Sequence, residues 1–223
     1  MKRGNFLSLF VSLSLVLSSI SIATPTKAYA ANQAGPIVVR AVLYSLDTGD
    51  RVELPIKVQD IQLELSAAAD SQNVEGYVVE LPRNLLQNMD QRQRWDQTYS
   101  VRVTFQMYYS ERYVSDGREV ALDYYMSKWE KFDYSVSWRD AHIYMGCFDG
   151  RNNQICPGSP QTAWINPVVS GYWYPATTTW QGVYVLMNDF GSQAGWSRIT
   201  LSRGSSTWQL ELCISQGGGA FCY

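Results

Sequence analysis

Tyr99-Ser100-Val101-Arg102-Val103-Thr104-Phe105-Gln106-Met107-Tyr108-Tyr109, running on through Asp116-Gly117 to Ala121-Leu122-Asp123-Tyr124-Tyr125-Met126, is the stretch that decides the fold. Its odd positions are almost all apolar from Tyr99 to Tyr109, and its even positions are Ser, Arg, Thr, Gln and Tyr. Successive side chains of a strand point to opposite faces, so the pattern reads as one strand with a core side and a polar side. Asp116-Gly117 is a two-residue turn signature, because both residue types tolerate positive φ. With that turn as the loop, Met107 faces Met126, Tyr109 faces Tyr124 and Glu111 faces Leu122. A single register then puts Arg102, Thr104, Gln106, Tyr108 and Arg112, with Tyr125 and Ser127, on the polar side.

The same reading extends in both directions. Ile37–Leu43, Arg51–Leu54, Ile61–Leu65 and Gly76–Leu81 have the alternation or β-branched content of strands, and Asp47-Thr48-Gly49-Asp50 reads as a hairpin turn. Leu85, Leu86 and Met89 have helical spacing, which predicts one short helix near Arg83–Asp90. Phe132, Tyr134, Val136 and Trp138 continue the alternation, and Ile143 and Met145 lead into a cysteine loop. Gly182–Met187 is a further strand, and the turn Ser202-Arg203-Gly204-Ser205 joins Ile199 and Leu201 to Trp208, Leu210 and Leu212 in a second hairpin. Gln216–Ala220 is glycine-rich and reads as a flexible tip. Short strands with frequent turn signals predict an all-β fold, an antiparallel sandwich or a partly open barrel with at most one short helix.

The N-terminus carries a different signal. Met1–Asn5 is basic, Phe6–Ala23 is apolar without a charge, and Ala28-Tyr29-Ala30 has the small-x-small pattern of a cleavage site. This predicts a signal peptide over residues 1–30 and a single secreted β-rich domain over 31–223. The destination is the extracellular space, the periplasm or the cell wall, with no stable membrane insertion after cleavage. Removing residues 1–30 takes away Lys2, Arg3 and Lys27 and no acid, leaving 15 of the 18 basic residues against 20 acidic ones. The net charge is then −5 rather than −2, a balance that argues against nucleic acid as the partner, which needs a basic face.

Cys147, Cys156, Cys213 and Cys222 form two neighbouring pairs of equal spacing. In an oxidising compartment the economical pairing is Cys147–Cys156 with Cys213–Cys222, each bridge contributing about 2–3 kcal/mol by restricting the unfolded chain. Two other pairings remain open, and the spacing lacks the C-x2-C of a structural zinc site. No metal or other cofactor is expected.

Catalytic motifs fare poorly. Asp47-Thr48-Gly49 matches an aspartic-protease triplet, but such enzymes need two carboxylates, and a tight turn wants the same residues. His142 is the sole histidine, and no Gly-x-Ser-x-Gly elbow accompanies it. Asp123, Asp133 and Asp140 lie among aromatics and are the acids to examine for glycoside hydrolysis, which needs a pair. Asp149-Gly150-Arg151-Asn152-Asn153 offers oxygens for calcium, but Arg151 intrudes.

The unusual feature is aromatic density. All eight tryptophans lie between Trp95 and Trp208, and Tyr172-Trp173-Tyr174-Pro175 is followed by Trp180. Flat rings stack on the C–H faces of sugars and also anchor protein partners. The expectation is a non-catalytic domain that binds cell-envelope or environmental carbohydrate through Tyr108, Tyr125, Tyr172, Trp173, Tyr174 and Trp180. The alternative partner is an extracellular protein, such as a protease engaged by the closed loop 147–156 through Phe148, Asp149 and Arg151. A hydrolase with unrecognised carboxylates is the third reading.

Overall fold

A computed structural model describes residues 37–59, 72–86, 99–218 and 222. The expected signal peptide over residues 1–30, the expected strand Ile61–Leu65 and the second half of the expected short helix lie outside the described residues. The chain forms β1 (Val38–Ser45), β2 (Arg51–Glu53), β3 (Ile56–Val58), β4 (Gln72–Pro82), β5 (Tyr99–Val114), β6 (Gly117–Lys131) and β7 (Ser137–Asp149). It continues with β8 (Gln154–Ile155), β9 (Gln161–Ile165), β10 (Trp173–Ala176), β11 (Tyr184–Met187), β12 (Ser192–Arg203) and β13 (Ser206–Gly217). One 3-10 turn, Arg83–Leu86, stands at the start of the expected helix. Among the described residues no helix is long and apolar enough to cross a membrane.

The strands form two antiparallel sheets packed face to face, not closed into a barrel. One has the order β2-β1-β13-β12-β7, with β8 and β9 both pairing with β7. The other runs β3-β4-β5-β6, with β10 and β11 sharing the far edge of β6. The β12–β13 hairpin turns where the sequence placed it, at Gly204-Ser205, and the β1–β2 turn is closed by Ser45 N donating to the Asp50 carbonyl at 2.8 Å.

The β5–β6 hairpin corrects the expected register. Its loop is Ser115-Asp116, one residue earlier than expected, and Gly117 takes φ 136° as the first strand residue. Glu111 therefore faces Val120 and Tyr109 faces Leu122. A bulge follows, because Tyr108 faces Tyr124 and Asp123 is left as the extra residue. One extra residue moves every later side chain to the opposite face. Val120 and Leu122 point into the core, but beyond the bulge it is Tyr125, Ser127 and Trp129 that do so. Tyr124 and Met126 are turned outward, and Tyr108 stacks on Tyr124 with ring centroids 4.3 Å apart.

Between the sheets lie Leu43, Phe105, Met107, Tyr125, Trp129, Trp180, Ile143 and Leu210, all essentially inaccessible to water. Phe105 and Tyr125 stack at 5.3 Å. They face Gly195 on β12, where a Cβ would lie 2.6 Å from Tyr125 Cε1, so the two sheets approach closely only because that position has no side chain. Polar bonds also cross the interface: Ser127 Oγ to Ser197 Oγ at 2.6 Å, Gln193 Nε2 to the Val120 carbonyl at 3.0 Å, and Arg118 to Gln216 Oε1 at 3.3 Å. Gln216 and Gly217 belong to β13 rather than to a glycine-rich tip.

The alternation across Phe132–Trp138 is not one strand: Phe132–Val136 is a turn, and Trp138 belongs to β7. β6 ends at Lys131 and the chain turns at Tyr134-Ser135, with Val136 N donating to the Asp133 carbonyl at 3.1 Å. Val136 drops into the core and Tyr134 stands in solvent. The disulfides join Cys147 to Cys156 and Cys213 to Cys222, with Cα separations of 5.4 and 5.8 Å. Two bridges in so small a domain fit a non-reducing compartment.

Candidate functional site

At one end of the sheet, β7 is irregular. Its pairing with β12 shifts between Arg198 and Thr200, so that Asp140 and Ala141 together oppose Ile199. Asp140 is the inserted residue and takes φ 52°, a left-handed conformation usually given to glycine. The bulge separates Trp138, which packs against the core edge, from His142 on the outer face. On that outer face β9 aligns Trp164 beside His142, and their rings lie 4.5 Å apart.

These residues open a cavity of about 480 Å³. Trp138 and Trp164 supply aromatic walls, Arg139, Asp140 and Asn166 supply polar groups, and Ile165, Pro167 and Val168 complete the lining. Trp164 is 69 % exposed, high for so large an apolar ring. Lys131 Nζ lies 5.0 Å from the Trp138 ring centroid. Arg139 Nε is 3.3 Å from Asp140 Oδ2, and both side chains are mostly exposed, so each keeps bonding capacity for a ligand.

His142 supports the wall rather than forming it. Its Nδ1 lies 3.1 Å from the Asp140 carbonyl oxygen, which ties the ring to the bulge. Burial holds its imidazole below the usual value of 6.5, the Asp140 carbonyl pulls the other way, and the Arg198 guanidinium lowers it further. The ring is therefore neutral at physiological pH, and Nδ1–H donates to that carbonyl.

Of the residues singled out in the sequence, Tyr174 comes closest to the cavity. Its hydroxyl accepts the Val169 N–H at 2.7 Å and contacts the Pro167 carbonyl at 3.4 Å, so it braces the segment that forms one wall. Trp129 anchors it from the core side at 5.6 Å. Tyr172 stands edge-on to Tyr174 at 5.1 Å and is 61 % exposed. Trp173 points the other way, beneath Lys128 at 5.0 Å. Tyr108 belongs to the outer face of the other sheet, stacked on Tyr124. Tyr125 and Trp180 are core residues with no surface for a ligand, Tyr125 because of the bulge at Asp123.

The loop 147–156 is docked, not free. Asp149 Oδ1 accepts from Leu186 N at 3.2 Å and from Arg151 N at 3.0 Å, Gly150 N donates to the Leu186 carbonyl at 3.2 Å, and Arg151 pairs with buried Glu119. Phe148 is half-buried, aligned with Ser192 on β12 and Ile155 on β8. The oxygen that a cation would need from Asp149 is already engaged. Among the acids of the hydrolase reading, Asp133 bonds Ser135 at 2.7 Å and Arg203 at 3.4 Å, and Asp123 bonds Ser110 at 3.4 Å. Asp140 alone of the three lines the cavity.

Trp138, Arg139, Trp164 and Asn166 were not singled out in the sequence. A signal was present for one of them. Pro160 and Pro167 bracket the six residues Gln161–Asn166, in which Thr162 and Trp164 alternate with Ala163 and Ile165, a pattern that marks a short edge strand with Trp164 on its outward side. No family model, curated protein or solved structure matches the chain.

Proposed function

We propose that this is an exported, non-catalytic domain that binds carbohydrate in the cavity between Trp138 and Trp164. The observation that carries the reading is the exposed Trp164 ring, backed by the His142 ring at 4.5 Å beside a carboxylate, a guanidinium and a carboxamide. An aromatic wall matches the C–H face of a pyranose, and adjacent charged groups match its hydroxyls. Trp164 packs on His142 but lies outside the hydrophobic core, so most of its ring is left open to solvent. Tyr172 and Tyr174 extend the aromatic surface beyond Pro167, which suits a chain of sugars better than a single ring.

Two features weigh against the other readings. The loop 147–156 spends Asp149 and Arg151 on its own domain, leaving less for a protease partner. Hydrolysis by two acids needs a second carboxylate across the cleft, and the lining has one. The test is retention of the domain on insoluble polysaccharides. Trp164→Ala abolishes retention by the wild-type ligand and leaves thermal unfolding within about 0.5 kcal/mol of wild type, as for an exposed side chain. Retention that survives Trp164→Ala removes the proposal.

A further inference from the structure

We infer that Asp140 is the specificity-determining residue of this cavity, a carboxylate held at its mouth to receive two neighbouring hydroxyls of a neutral saccharide. The inference rests on the carbohydrate reading and deepens it. Its basis is a conflict between what the backbone prefers and what the chain supplies. The inserted residue of this bulge has φ 52°, where glycine is free of steric cost and an L side chain is not. Aspartate tolerates the conformation better than most residues, yet it remains worse than glycine there. The fold gains little in exchange: among the described residues the Asp140 side chain has one ion pair, with Arg139 at 3.3 Å, and both groups are more than 60 % exposed. Exposed pairs of that kind contribute little to stability.

What the side chain does gain is position. It lines the cavity with Trp138 and Trp164, and among the described lining residues it is the sole carboxylate. Its backbone carbonyl receives the His142 ring that backs Trp164, so bulge and aromatic wall are fixed relative to each other. A carboxylate has two oxygens, each able to accept, and Arg139 engages one of them from the side. The remaining lone pairs suit a pair of adjacent O–H donors presented by a ring lying against tryptophan. Where one of those hydroxyls carries sulfate, or a carboxylate takes its place, Asp140 meets negative charge instead of a donor. The site therefore takes neutral sugars with a free vicinal diol and disfavours counterparts whose anionic group falls against Asp140 rather than against the Arg139 guanidinium.

The experiment uses the full exported domain with Asp140→Asn and Asp140→Gly, on an array of neutral oligosaccharides and their sulfated counterparts, with thermal melts of all three proteins. Asparagine keeps the size and the left-handed tolerance and removes the charge, so it serves as the folding control. Wild type binds neutral members over sulfated ones. Asp140→Asn keeps the wild-type melting temperature, weakens neutral binding about tenfold or more, as expected for a lost charged acceptor, and narrows the discrimination against sulfate. Asp140→Gly also loses binding but melts close to wild type, because the relief of the left-handed conformation offsets the added freedom of the unfolded chain. Neutral binding that persists unchanged in Asp140→Asn overturns the inference and leaves the carbohydrate reading standing. A glycine variant that melts far below wild type would show that the side chain serves the fold, and overturns it from the other side. A wild-type protein that binds no member of the array overturns both.

Discussion

Gly195 shows how much one missing side chain can decide. Phe105 and Tyr125 press against it from the opposite sheet, and a methyl group there would sit 2.6 Å from one ring and 2.9 Å from the other. Both rings are fully buried in the core that also holds Val103, Trp129 and Leu212, so neither can swing out to solvent. Gly195→Ala should therefore destabilise the domain by about 1–3 kcal/mol, as overpacked cores do, despite the higher strand propensity of alanine. Urea unfolding measures it, and a variant as stable as wild type would show that the sheets can separate locally without cost.

At the scale of elements, the β7–β8 hairpin is tied down twice, covalently by Cys147–Cys156 and electrostatically by Arg151 on Glu119. Glu119 is only 2 % exposed and also accepts from Arg112 at 2.6 Å, whose guanidinium lies 3.9 Å from the Tyr184 ring centroid. One buried carboxylate thus serves two arginines. Removing it leaves both cations without their partner, whereas removing either arginine leaves the carboxylate with the other. Glu119→Gln should cost about 2 kcal/mol and Arg151→Ala distinctly less, in chemical denaturation under identical conditions. Equal effects would mean that Arg112 does not hold Glu119 when Arg151 is absent.

Elements were also where the sequence was most and least readable. Strand identity followed from alternation, so β1, β5, β12 and β13 and the turns at Asp47–Asp50 and Gly204-Ser205 were legible. The two bulges were not, because a bulge is a change of phase and each half of the strand still alternates. In β6 the mark was there to read: Val120 and Leu122 are even, whereas Trp129 is odd, and a buried tryptophan cannot share a face with both unless a residue is inserted between. Asp123, charged and set between apolar runs, was that residue. The bulge at Asp140 left a weaker trace, since Trp138 and Ile143 also differ in parity, but the run through Phe132 and Tyr134 looked like a continuous strand. The cavity was legible only in part. Aromatic excess pointed to rings that the core does not enclose, and Asp140 was noticed as an acid among aromatics. Which rings stay outside depends on pairing between β7 and β9, distant partners that no local pattern specifies.

For the molecule as a whole, acid should unfold it in two stages. His142 is held below its ordinary value of 6.5 by burial, with Arg198 adding to the effect against Glu211 and the Asp140 carbonyl and carboxylate. An unfolded chain takes up that proton first, so stability begins to fall as the pH drops through about 6.5 and levels off below the folded value. Asp133 is shifted down, by the Ser135 hydroxyl above all, with the Ser135 N–H and Arg203 assisting against burial. Its contribution is present at neutral pH and is lost as the pH falls below the ordinary carboxylate range through its folded value. His142→Gln should remove the upper stage from a stability–pH profile and keep the lower one. An unchanged upper stage would place the responsible group elsewhere.

The account depends most on two indoles meeting a sugar, and each tryptophan side chain gives its own N–H signal in a nitrogen-labelled sample. Titrating the domain with an oligosaccharide of a polysaccharide that retains it should move the Trp138 and Trp164 indole signals progressively, while the core residues Trp129 and Trp180 stay still. Movement confined to Trp173, or to no tryptophan at all, would contradict the assignment of the site.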